Sequence, residues 1–189
     1  MSFSIDRTKK AQFSKESVPP GTVCISSFVV VTDGKGGILS GRMDKLDVWV
    51  DRFYASPTNA PTFLASGKLL LPASHLVWYE SPLDAAERIL KEMALIEDVP
   101  RDRIELIDVQ SHLRPSANNP SNPHWDICII YKVDSYGGKI NQPEWFRDFG
   151  FKYNLKNDDF TRGHGDILES HITWKFNSDV SEEPPPPHC

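Results

Sequence analysis

This sequence predicts an α/β fold in which a mixed β-sheet is flanked by helices, and three observations carry the expectation. Short β-branched and aliphatic runs, such as "TVCISSFVVV" and "HWDICIIYKV", lie before and after one strongly helical segment. That segment, "SPLDAAERILKEM" (Ser81 to Met93), opens with a serine, a proline and an aspartate in helix-start order. A weaker helical stretch follows late, from about Asp158 to Lys175. Strands on both sides of a helix, with a second helix near the end, give a sheet covered by helices.

The elements follow in order. Residues 1–21 are polar, end in "SVPPG" and read as an arm; residues 22–175 form the folded domain. Residues 176–189 turn acidic and then proline-rich, which favours an extended, solvated tail. Thr22 to Asp33 is a buried strand, Gly34 to Gly37 a turn and "ILSGRM" a returning strand, which together predict a hairpin. Asp44 to Phe63 joins an amphipathic piece to a loop rich in Pro, Thr and Asn, and Leu64 to Ser74 reads as a strand ending at Pro72. Ser81 caps the main helix, Pro82 suits its first position and Asp84 closes a capping box. "EDVPRDR" stops that helix. "IELIDVQSHL" and "HWDICIIYKVD" are two strands joined by "RPSANNPSNP", and "EWFRDFGFKYN" is a last strand or strand pair. In the late helix, Gly163 and Gly165 weaken the middle.

The 189 residues suffice for one domain with a sizeable core and are few for two. A net charge of −5, with acids and bases interspersed, lacks the basic face that a binder of duplex nucleic acid presents. A pocket for a small anion needs only one or two local cations and stays open. The apolar runs are too short for a membrane span, and no apolar segment follows Lys9 and Lys10 as in a secretory signal. Cys24, Cys128 and Cys189 share no pairing motif and read as reduced thiols. The expectation is a cytoplasmic protein that binds neither membrane nor nucleic-acid duplex.

Within "LPASHLVWYESPLDAAERILKEMALIE" the order and spacing of Ser74, Glu80, Arg88, Leu90, Glu92 and Ile96 resemble the signature of the Nudix superfamily, G-x5-E-x7-R-E-U-x-E-E-x-G-U, with U a bulky aliphatic residue. Ser74 stands at the first glycine, Glu80 at the first glutamate and Arg88 at the arginine. Ile89 and Met93 replace two of the three helix glutamates, and Leu95 replaces the later glycine. The resemblance implies a Nudix-type α/β/α sandwich and a relation to pyrophosphohydrolases of nucleoside diphosphates linked to another moiety.

The chemistry of that signature is explicit. Carboxylates three and four residues apart share one helix face. They offer hard oxygen ligands to Mg or Mn, which bridges phosphate oxygens and activates water. Here the three positions read Ile89, Glu92 and Met93, so turnover by the family's route is expected to be severely impaired. The resemblance assigns Glu92 to the metal and to catalysis, and makes Glu80 and Arg88 an ion pair tying the turn to the helix. Glu144, in "NQPEWF", is the candidate second metal ligand, converging with Glu80 and Glu92. Ala73 and Ser74 in place of glycines put a close turn in question, and Leu95 removes the glycine of a left-handed helix end.

Other candidates are weaker patterns. Trp78 and Tyr79 either stack on a base or fill a pocket that no longer needs water. "RGHGD" either offers backbone N–H groups and Arg162 to a phosphate or is a plain helix break. His112 and His124, with Asp126, are either a transition-metal set or scattered surface groups. Three functions remain open. One is a Nudix-fold protein that binds a small nucleotide or phosphorylated ligand through a degenerate helix, with no cofactor. Another is an active, divergent Mg- or Mn-dependent hydrolase of a nucleotide or nucleotide sugar. The third is a non-catalytic interaction module using the arm, residues 44–63 and the tail. A homodimer is the assembly the resemblance suggests.

Overall fold

The computed structural model describes residues 23–53, 55, 60–115, 123–161 and 163–171. The expected arm at 1–21 and tail at 176–189 lie outside these residues, as does Arg162.

Strand β1 (Val23–Val31) is the hub. It pairs in parallel with β6 (Pro123–Val133), from Val23 opposite Trp125 to Val31 opposite Val133. Its other edge takes the short antiparallel strand β4 (Ala73–His75). Strand β5 (Glu105–Pro115) adds to β6, giving the order β4-β1-β6-β5. A parallel pair requires a long crossover, and the one here carries the main helix, α3 (Pro82–Arg88). A second, antiparallel sheet has the order β3-β2-β7, built from β2 (Ile38–Met43), β3 (Leu69–Leu70) and β7 (Phe146–Lys152).

Both faces of β1 are buried, because side chains alternate along a strand. Val29 and Val31 share a core with Leu39, Met43, Leu90 and Phe146. Phe28 and Val30 share the opposite core with Leu71, Ile130 and Ile167. Ile167 belongs to α4 (His164–His171), so α3 and α4 pack on opposite faces of β1, and the second sheet contributes to both cores, with Leu39 and Leu70 on the α3 side and Ile38 and Leu69 on the α4 side. The unbroken apolar run Phe28–Val31 is the sequence mark of a strand covered on both faces. Among the described residues no helix is long and apolar enough to cross a membrane.

Three expectations need correction. β1 and β2 do not form a hairpin ladder: only Thr32 and Ile38 bridge, because β4 and β6 occupy both edges of β1 and β2 must pair elsewhere. Leu64 to Ser74 is not one strand. Helix α2 (Ala60–Ser66) ends at Gly67, whose φ is 62°, and two short strands follow. Pro72 has no N–H to donate and separates those strands, while its carbonyl accepts from the Val29 N–H at 2.9 Å. The late helix is shorter than expected at its start, beginning at His164 after the left-handed Gly163. The amphipathic piece after Asp44 is helix α1 (Leu46–Asp51).

The capping box of α3 is present. The Asp84 N–H donates to Ser81 Oγ at 3.2 Å, the Ser81 N–H donates to Asp84 Oδ2 at 3.3 Å, and Pro82 occupies the first turn. The Ser81 hydroxyl, and after it Arg101, holds the Asp84 carboxyl below its ordinary value of 3.8. A carboxyl lowered in the folded state stabilises above its unfolded pKa and loses that contribution as pH falls through the folded value. Asp84→Asn should therefore lower the melting midpoint at neutral pH, and the gap to the unaltered chain should close as pH falls below 3.8.

Gly41, in β2, has no room for a side chain. A Cβ there would lie 2.8 Å from the Phe146 ring and 3.2 Å from the Phe149 Cα, and the latter is backbone that cannot swing away. Gly41→Ala is expected to cost about 1–3 kcal/mol, read as a lower urea midpoint at unchanged m.

Candidate functional site

The site is built around one turn. After β4 the chain turns so that the Glu80 N–H donates to the Val77 carbonyl at 3.2 Å, with Trp78 and Tyr79 between them. Glu80 folds back under this turn, and its Oε2 accepts from the Val77 N–H at 3.0 Å. Arg88, at the end of α3, meets it two-pronged: Nε to Oε1 at 2.7 Å and Nη2 to Oε2 at 2.8 Å. The same guanidinium donates to the His75 carbonyl at 3.0 Å and to Ser74 Oγ at 3.4 Å. The Arg88 and Glu80 side chains are only 5% and 2% exposed. A buried pair of this kind holds only while both charges are present, because either alone is a stranded ion.

Beyond Arg88 the helix widens into a π turn, Ile89–Met93, in which the Ala94 N–H donates to the Ile89 carbonyl five residues back at 3.0 Å. Ile89, Leu90 and Met93 are all buried, and Glu92 is half-buried. Leu95 ends the helix in the left-handed region at φ 54°. The expected loss of the left-handed end is therefore corrected. The conformation survives on a residue with a Cβ, a strain of about 1–3 kcal/mol, held by the burial of Ile96 and its N–H bond to the Leu90 carbonyl at 2.8 Å.

Trp49, Phe53 and Trp145 are among the aromatic residues in the core that contains Ile89 and Met93. Trp145 donates its Nε1–H to the Met93 carbonyl at 2.9 Å, and Trp49 donates its own to the Trp145 carbonyl at 2.8 Å. The Phe53 ring lies 5.2 Å from that of Trp145 and 5.6 Å from that of Trp49. Ser74 Oγ donates to the Phe53 carbonyl at 3.1 Å, which ties this cluster to β4. The Arg52 guanidinium lies over it, 4.7 Å from the Trp145 ring centre and 5.4 Å from that of Phe53.

No family model matches the chain, and no curated protein matches it in sequence. Solved structures do. A MutT Nudix hydrolase from Burkholderia pseudomallei is 17% identical, with a TM-score of 0.53 over 80% of this chain and 99% of that one. The Nudix domain of Shewanella oneidensis NrtR, complexed with ADP ribose, is 14% identical, with a TM-score of 0.53 over 86% and 94%. A bifunctional NMN adenylyltransferase/ADP ribose pyrophosphatase from Francisella tularensis, complexed with AMP and Mn ion, is 14% identical, with a TM-score of 0.55 over 84% of this chain; the chain spans 44% of that enzyme's length. The fold is the Nudix fold.

The helix Pro82–Met93 does not fit the metal centre that its resemblance to the Nudix signature implies. Two of its three ligand positions are the buried side chains of Ile89 and Met93. Both Glu80 oxygens are engaged by Arg88. Glu144 is exposed and ion-paired with Lys45. Among the described residues no group of three or more His, Cys, Asp or Glu is placed to hold a metal ion, so the expected convergence of Glu80, Glu92 and Glu144 is absent. Ser74 stands in an extended strand opposite Ser27, not in a glycine-type turn.

The remaining candidates separate. Trp78 and Tyr79 are 38% and 56% exposed, with rings edge-on at 5.7 Å, so they do not fill a pocket. Tyr79 has a φ of 61°, a left-handed backbone on a bulky residue. Strand register sets His112 opposite Asp126 and His124 opposite Arg114; the two histidine side chains lie outside the described set. Arg162 also lies outside it, while the adjacent His164 accepts the Leu71 N–H on Nδ1 at 3.0 Å. Sequence reasoning missed Trp49, Phe53, Trp145 and Arg52. The available signal was Trp49 and Phe53 one helical turn apart in "DVWVDRF", but nothing local indicates what such a stripe covers.

Glu80→Ala should cost about 3–5 kcal/mol by leaving Arg88 buried and unpaired. In a double-mutant cycle, Glu80→Ala with Arg88→Met should cost less than the sum of the single changes. Equilibrium denaturation of the four proteins measures both.

Proposed function

We propose that this chain is a Nudix-fold binding protein that takes a small nucleotide or other phosphorylated ligand and does not carry out metal-dependent hydrolysis. One observation carries the reading: Ile89 and Met93, at two of the three carboxylate positions, are buried in one core with Trp49, Phe53 and Trp145. Hydrolysis by the family's route needs a cation on the phosphate and an activated water. An apolar wall supplies neither and makes a bare charge beside it costly.

The ligand class is drawn from structural relatives that hold AMP or ADP ribose. Trp78 and Tyr79 support it, since exposed aromatic faces beside the helix start suit stacking on a base. Glu80 and Arg88 act here as positioning residues that hold that turn against the helix.

Incubation with ADP-ribose or a dinucleoside polyphosphate in Mg or Mn should release no nucleoside monophosphate. With EDTA present, the same ligands should raise the melting midpoint as their concentration rises, equivalent to about 2.7 kcal/mol at a hundredfold excess over Kd. Divalent-dependent release at an enzymatic rate would sink the proposal. Restoring a carboxylate should not rescue turnover either: Met93→Glu buries an unpaired charge and should lower stability on the order of 3 kcal/mol, read by denaturation.

A further inference from the structure

Among the described residues Arg52 differs from the other cations near the site. Lys45 pairs with Glu144, Arg88 with Glu80, Arg42 with Asp148 and Arg101 with Asp84 and Glu87. Arg52 is exposed, and no ion pair within the described residues engages it. Its guanidinium lies over two aromatic faces, those of Trp145 and Phe53.

The platform is tied together by hydrogen bonds. Trp145 is pinned by its Nε1–H on the Met93 carbonyl, Trp49 by its Nε1–H on the Trp145 carbonyl, and the Phe53 carbonyl by Ser74 Oγ. The Arg52 guanidinium therefore lies over the indole whose N–H bonds the backbone carbonyl of Met93. A guanidinium stacked on an aromatic face keeps its N–H groups at the edge of its plane, where two can meet a phosphate together. Stacking also restricts the side chain in advance, so less freedom is lost when an anion binds.

We propose that Arg52, held over Trp145 and Phe53, is the phosphate-recognising cation of this site and takes a diphosphate-linked nucleotide without a metal ion. The inference rests on the binding function proposed above and adds the residue that reads the phosphate. A permanent organic cation attracts the phosphate but carries no ligand water, so it accounts for binding without supplying a nucleophile.

The test is a calorimetric titration in EDTA with ADP-ribose, AMP, inorganic pyrophosphate and, as a phosphate-free control, adenosine. Arg52→Met keeps the length of the stem and its cover over Trp145, so the melting midpoint of the free protein should hold. Its affinity for the three phosphorylated ligands should fall by about tenfold or more, the scale of a charge-assisted contact, with adenosine unaffected. The salt dependence of pyrophosphate binding should shrink in the same variant. Arg52→Gln is the second neutral variant, decisive should Arg52→Met fail to fold. Undiminished affinity for ADP-ribose and pyrophosphate in either variant overturns the role of Arg52 and leaves the binding function standing. Failure of the unaltered chain to bind any of the four ligands overturns both.

Discussion

The Arg88 guanidinium makes four hydrogen bonds, to Glu80, the His75 carbonyl and Ser74, and they set how α3 sits in this molecule. They fasten the end of the helix to the turn before it and so fix its rotation about its own axis. Once that rotation is fixed, the directions of Ile89, Leu90 and Met93 are no longer free, and all three enter the core. The pair is nearly inaccessible to water, so its attraction is little screened and its loss would leave a bare ion in a low-dielectric setting.

What this arrangement preserves is shape. Leu95 keeps the left-handed end that a glycine would adopt more readily, and Tyr79 keeps a left-handed turn beside the ion pair. Neither residue favours that conformation alone; the Glu80 N–H bond to the Val77 carbonyl and the Ile96 N–H bond to the Leu90 carbonyl close the turns around them. The metal chemistry is a different matter, because it depends on oxygen atoms and not on backbone course. Where three carboxylates would converge, this chain has one half-buried glutamate and an aromatic wall that also takes up the Met93 carbonyl.

Much was legible from the residues. The capping box at Ser81, the doubly buried run Phe28–Val31 and the long strand Pro123–Val133 are local patterns that survive into the fold, and the pairing of Glu80 with Arg88 is present as the resemblance implied. The errors share one cause. The hairpin from β1 to β2 failed because strand edges are claimed by β4 and β6, segments distant in sequence. The strand expected over Leu64 to Ser74 failed because the start of that stretch joins a helix and Pro72 interrupts the rest.

The sequence by itself determined that a capped helix follows a Glu80 turn, that Arg88 can reach back to it, and that two of three metal-binding positions carry no oxygen. The capped helix follows from side-chain chemistry and local spacing, while the pairing of Glu80 with Arg88 and the ligand positions are what the resemblance to the Nudix signature implies. Only the tertiary structure decided what occupies the ground those oxygens left. Trp49, Phe53 and Trp145 come from segments nearly a hundred residues apart and share one core with Ile89 and Met93, because burying large apolar surfaces together is non-directional and leaves no mark on local spacing. The stacking of Arg52 on that cluster belongs to the same category: its platform exists only after the chain has closed on itself.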